Sequence, residues 1–186
     1  MITKEFLEDI CFITQHDHAR ASLDIFSMIN HDITQGLEGS EELKYAIRNH
    51  DCGWIEYDKT PKTNKNGEIY TFQNMKPNLQ NELWLKSISS SIIPYSAILI
   101  AEHFKFLNNN SSGRENINNF NKICNSYIQK SYPDLLKEIY NETFYVKLGF
   151  LKFTDLLSLI ICREREIKKD LIPSIKMLDN KELKIT

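Results

Sequence analysis

The stretch Arg48-Asn49-His50-Asp51-Cys52-Gly53-Trp54 sets an imidazole and a carboxylate side by side. Leu43, Ala46, Ile47 and His50 recur at three- and four-residue spacing, so His50 falls on the core-facing stripe of a helix, with Asp51 one residue round. A carboxylate buried beside an imidazole is costly unless charge or hydrogen bonds offset its desolvation, and a metal ion does so directly. Similar stripes recur elsewhere. His18 lies with Ala21, Ser22, Ile25 and Ile29, and His103 with Ser96, Leu99, Ile100 and Leu107. Asp155 lies with Leu148, Leu151, Leu159 and Cys162, a lone carboxylate among apolar neighbours. His16, on an adjoining stripe with Ala19, Leu23 and Phe26, is a further candidate.

Neutral imidazole nitrogens with carboxylate oxygens suit Fe, Mn, Zn or Ni, as one or two divalent ions. Taken singly, each inward histidine reads as a hydrogen-bonded core residue, and Asp155 as half of a buried ion pair with Arg48 or Arg163. Taken together they read as a metal site, because each residue would otherwise need its own structural reason. His31-Asp32 is the control: it runs into polar Thr34-Gln35-Gly36 and reads as a solvated cap. Cys52 reads as a packing residue, and Trp54 and Trp84 as core or pocket wall.

These residues need helices to position them. Thr14 caps a helix running to about Ile29, and Ser40 caps a second, with Glu41 and Glu42 in its first turn and Gly53 as its stop. A long polar segment, 56–81, follows and reads as a lid or insertion. Further helices are expected from about Asn81 to Ser90, from Pro94 to about Leu107, from Phe120 to Gln129, from about Ser131 to Asn141 and from Phe144 to Lys168, with an Asn-rich loop over 108–119 and a stop at Pro173. Residues 1–12 carry no clear period. The expectation is an all-α, single-domain helical bundle over 1–186, with its core at about 12–170.

Composition excludes several classes. A formal charge of −2 over 186 residues gives no basic footprint, so nucleic acid is not favoured as a partner. The apolar run from Leu148 to Cys162 is broken by Lys152 and Asp155, and the N-terminus lacks a signal pattern, so no membrane association is expected. Four widely spaced cysteines read as reduced thiols in a cytoplasmic protein.

His18, then His50-Asp51-Cys52-Gly53, then Asp155 in Phe-Thr-Asp-Leu-Leu-Ser-Leu, resembles the H…HD…D signature of the HD-domain metal-dependent phosphohydrolases, an all-helical superfamily. More narrowly, the Thr14–Arg20 segment TQHDHAR and His50-Asp51-Cys52-Gly53-Trp54 look like an uncharacterised bacterial family of unknown function, over about Phe12 to Cys162. The broader resemblance implies a metal held by His18, His50, Asp51 and Asp155, with Asp51 able to bridge to a second ion held by His103 and His16. It implies hydrolysis of a small phosphorylated metabolite or nucleotide through a metal-activated water. Asp51, Glu56 and Arg48 are the expected catalytic residues, Glu102 is a further candidate acid or base, and Arg20, Lys59 and Lys62 are candidate cations for the phosphoryl charge. Many hydrolases of the superfamily have Lys after HD-x-G. Trp54 stands there instead and removes that cation. Two rival readings are an HD-fold di-iron oxygenase and a non-catalytic domain that binds a ligand or partner.

Overall fold

The computed structural model of the chain describes residues 1–6, 9–34, 36–111, 114–163, 175–176 and 182–183. Its N-terminal segment is a hairpin of two antiparallel strands, β1 (Ile2–Phe6) and β2 (Asp9–Ile13), with Ile2 opposite Ile13 and Phe6 opposite Asp9. A period was hard to see in the sequence because most of β2 faces solvent, Ile10 and Phe12 included.

Helix α1 (Gln15–Met28) begins at Thr14, whose Oγ1 accepts the Asp17 N–H at 3.0 Å, as the sequence predicts. The short α2 (His31–Thr34) carries the control pair: His31 is exposed and paired with Glu38, away from the core. Ser40 caps α3 (Glu41–Asn49), which buries Leu43, Ala46 and Ile47. Helix geometry ends with His50 as the capping residue, and Asp51 leaves it at φ −103°, ψ 20°. A 3₁₀ turn (Cys52–Trp54) then leads into the short α4 (Ile55–Asp58).

Gly53 lies just past the end of α3, as expected, but without the positive φ of a left-handed cap, which among the described glycines is confined to Gly36 and Gly67. Its role is close approach. A Cβ at Gly53 would lie 2.1 Å from the Leu83 carbonyl oxygen and 2.7 Å from the Ser87 nitrogen, both on α5 (Pro77–Ser89). The Gly53 N–H donates to Ser87 Oγ at 2.9 Å, which locks the turn after the His-Asp pair onto α5.

Three boundaries differ from expectation. α5 opens at Pro77 rather than Asn81, because proline at the first turn needs no N–H partner. α6 (Pro94–Ser111) and α7 (Arg114–Ser131) run through most of the Asn-rich stretch that reads as a loop, since Phe104, Phe120 and Cys124 pack in the core on either side and override weak local propensity. The helix expected over Ser131–Asn141 is reduced to a single 3₁₀ turn, Leu135–Lys137, whose two leucines pack against the core beside buried Ile139. α8 (Glu142–Arg163) is capped by Asn141, whose Oδ1 accepts the Phe144 N–H at 3.0 Å. Its expected continuation to Lys168 and the stop at Pro173 lie outside the described residues. Two residue pairs, β3 (Ile175–Lys176) and β4 (Glu182–Leu183), form a small antiparallel ladder.

The protein is thus a mainly helical, single-domain bundle. Helices α1, α3 and α8 pack mutually, α6 packs on α3 and α8, and α5 and α7 close one side against α6, where Trp84 stacks on Phe104 at 5.0 Å. The main core cluster runs from Phe26 through Leu43, Ile98–Ala101 and Phe120 to Phe150 and Phe153. No described helix is long and apolar enough to cross a membrane. All four cysteines are unpaired.

Candidate metal centre

Four elements each send a polar side chain into one point of this core. His18 (α1), His50 (end of α3), His103 (α6) and Asp155 (α8) are between 1% and 5% exposed, and Asp51, turned inward where the chain leaves α3, is 6% exposed. His18 Nε2 lies 3.1 Å from Asp51 Oδ2 and 3.4 Å from Asp155 Oδ1. His50 Nε2 lies 3.6 Å from Asp51 Oδ2 and 3.3 Å from Asp155 Oδ1. Ligands about 2.0–2.2 Å from a central ion in a tetrahedron are about 3.3–3.6 Å apart, so these four edges have close to the size of a coordination shell. The other oxygen of Asp155, Oδ2, lies 3.2 Å from His103 Nε2.

The tautomers follow from what holds the rings. His50 Nδ1–H donates to the Ile47 carbonyl at 2.8 Å, an ordinary bond back to its own helix. Ser158 Oγ gives its proton to the Asp155 carbonyl at 2.8 Å, so it accepts from His18 Nδ1–H at 2.7 Å. Ser22, also on α1, donates to the same Ser158 Oγ at 2.8 Å. Both Nε2 atoms therefore turn lone pairs toward carboxylate oxygens. His50 Nε2 and both ring nitrogens of His103 make no hydrogen bond although they are buried. Lone pair facing lone pair is repulsive, and a proton or a metal ion between them resolves it.

Electrostatics point the same way. Burial pushes the His50 imidazole down, but the charge of Asp51 and the contact with Asp155 overcome it and raise its pKa to about 9. Burial lowers the more weakly paired His103. Burial would raise the Asp155 carboxyl, yet His103 and His50 hold it well below the usual carboxylate range. Two buried carboxylates draw one positive charge into the cluster; a proton on His50 supplies it in the metal-free protein, and a metal would displace that proton. The donor atoms of His18, His50 and Asp51 lie within 4.8 Å of one another, as do those of His50, His103 and Asp155. The residues present fit a divalent ion.

Other expected site residues do not join the cluster. His16 lines a separate pocket with Arg48, Tyr45 and Lys44. Arg48 and Arg20 are exposed, and Glu56 and Lys59 are exposed and paired with each other at 2.7 Å. Lys62 is exposed, and Glu102 is engaged by Lys105 and the Tyr140 hydroxyl. Cys52 bonds weakly to the Ser87 carbonyl, and burial raises its thiol pKa, as suits a packing residue.

The cluster forms the floor of a cavity of about 480 Å³, within the range of small-molecule sites. Trp54, Trp84, Phe104, Leu107 and Leu159 form its apolar walls, and Phe72, Gln73, Met75 and Pro77 from the expected lid segment close one side. Gln15 and Gln80 complete it. Gln15 is the site residue that sequence reasoning missed; its signal is its place one turn before His18 on the same stripe.

Neither the curated proteins nor the solved structures include a match to this chain. A family model does match, over residues 1–185, and by that match the chain belongs to the family described as Protein of unknown function (DUF3891).

Proposed function

We propose that the protein is a metal-dependent hydrolase of a small molecule, with the ion held by His18, His50, Asp51 and Asp155. The observation that carries this reading is the set of four nitrogen–oxygen edges of 3.1–3.6 Å, shared by the Nε2 atoms of two imidazoles and the oxygens of two carboxylates. The resemblance to the HD-domain superfamily rests on the same four residues and supports the same chemistry. A divalent ion there would lower the pKa of a water from 15.7 toward about 7 and act as a Lewis acid on the substrate.

The chain's own residues supply the rest. Ser158 and the Ile47 carbonyl fix the orientation of His18 and His50, so the donor set is organised before anything binds. The apolar walls limit competing water. Asp155 Oδ2 faces His103 Nε2 at 3.2 Å, so a proton taken up on this carboxylate has an imidazole beside it to receive it.

The test is metal analysis of protein purified and reconstituted with Mn, Fe, Zn or Ni, followed by turnover of aryl ester and aryl phosphate probes. One ion per chain is expected, with turnover lost in His50→Ala. A protein that retains no ion, or turnover unchanged in that variant, overturns the reading.

A second reading, a dinuclear oxygenase, draws on the same Asp155 Oδ2 and His103. A second ion there would draw on these two groups, since His50 has one free nitrogen and His16 lies elsewhere. Two irons per chain with oxygen-dependent turnover would favour it over hydrolysis.

A further inference from the structure

We infer that the cavity selects a substrate that is uncharged at its reacting end and carries a flat apolar body, and that the Gln15 carboxamide binds its polar group. The inference rests on the metal-centred reading for where the reaction occurs, but its argument comes from the cavity walls.

Charge is the first observation. Among the described residues, no lysine or arginine lines the cavity, and the cations nearest in sequence to His18 and His50 point away from it. With three neutral imidazoles, the charges of Asp51 and Asp155 balance a single divalent ion. A phosphate dianion would then leave two negative charges in a mostly apolar chamber, without the guanidinium or ammonium groups that usually receive it. Arg163 donates to Gln73 Oε1 at 2.6 Å and lines the adjoining groove rather than this cavity.

The second observation is Gln15. It is 3% exposed and lines the cavity one turn before His18, and its backbone N–H is fixed by Asp58 Oδ2 at 2.7 Å. Its carboxamide makes no hydrogen bond to the described residues and is not fully enclosed by protein, so it is open to an occupant of the cavity. An amide offers both donor and acceptor to a neutral carbonyl, hydroxyl or amide group, and it carries no charge to attract an anion. The third observation is shape. Trp54, Trp84, Phe72 and Phe104 give aromatic surfaces suited to a planar, apolar ligand.

Both tryptophans of the chain line the cavity, so intrinsic emission reports an occupant. Benzamide, phenyl phosphate and acetamide are titrated against metal-free and metal-loaded protein, by emission and by calorimetry. Benzamide is expected to bind at least tenfold more tightly than either of the others, in both forms. Gln15→Leu is expected to weaken benzamide about threefold to tenfold, the loss of one neutral hydrogen bond, with metal content unchanged. Phenyl phosphate binding as tightly as benzamide, or benzamide indifferent to Gln15→Leu, overturns the inference. A protein that takes up no metal but still prefers benzamide removes the hydrolase reading and leaves this one standing. A protein that takes up metal and prefers phenyl phosphate does the reverse.

Discussion

Replacing Asp155 with asparagine changes one oxygen to an amide nitrogen with almost no change in volume. Its two oxygens lie 3.4, 3.3 and 3.2 Å from the Nε2 atoms of His18, His50 and His103, so the substitution exchanges one of four proposed ligands, an anionic carboxylate, for a neutral amide and removes half of the negative charge in the cluster. Loss of an outer-shell partner typically costs about 10–100-fold in metal affinity, and loss of a charged ligand should exceed that. At a free ion concentration of about 100 Kd, the wild-type protein gains about 2.7 kcal/mol from binding. For a domain of this size, about 2–4 °C per kcal/mol translates this into a rise in Tm of about 5–10 °C. Scanning calorimetry with and without each ion, beside metal analysis of the same samples, should show that rise in wild type and in exposed His31→Ala, and lose it in Asp155→Asn. Retention of both the ion and the rise by Asp155→Asn would refute the assignment of this carboxylate.

Three further outcomes are expected. Ser158→Ala leaves His18 Nδ1–H without its acceptor, and metal affinity measured by competition with a chelator should fall about 10–100-fold; an unchanged value would remove Ser158 as the group that sets this tautomer. Gly53→Ala places a Cβ 2.1 Å from the Leu83 carbonyl oxygen, so the denaturation midpoint should correspond to a loss of more than about 2 kcal/mol, and a loss under about 1 kcal/mol would show that the turn can move off α5. In the metal-free protein the raised His50 pKa, about 9 against 6.5 unfolded, contributes about 3 kcal/mol that is fully present below pH 6.5 and is lost as pH rises through 9. Urea midpoints across pH 6–10 should follow that fall, and calorimetry at pH 7 in buffers of different ionisation enthalpy should detect proton release on metal addition; a flat profile with no released proton would place no charge on His50.

Helical periodicity made much of the cluster legible. His18, His50, His103 and Asp155 each stand at three- and four-residue spacing from apolar neighbours, and helices place such residues on the buried side whatever the loops between them do. Proximity in sequence was the poorer guide. Arg48 and His16 are each two residues from a cluster histidine, and at about 100° per residue that turns them some 200° around the helix, onto other faces. Glu56 follows a 3₁₀ turn and emerges on the exposed side of α4, where it pairs with Lys59. Gly53 reads as a helix stop because glycine usually ends helices, whereas the reason for a glycine there lies in Leu83 and Ser87 of α5, which no local pattern around Gly53 encodes. The N-terminal hairpin and the helical course of the Asn-rich stretch depend on tertiary packing that local composition does not encode.

The proposed ligands come from α1, the end of α3 and α8, with His103 added from α6, and none of these elements brings enough donors alone to hold an ion. Occupancy is therefore a property of the assembled tertiary structure and not of any helix. A loosened, expanded form with its secondary structure intact would release the ion first, so metal loss should precede the fall in far-ultraviolet circular dichroism as the protein is acidified or warmed.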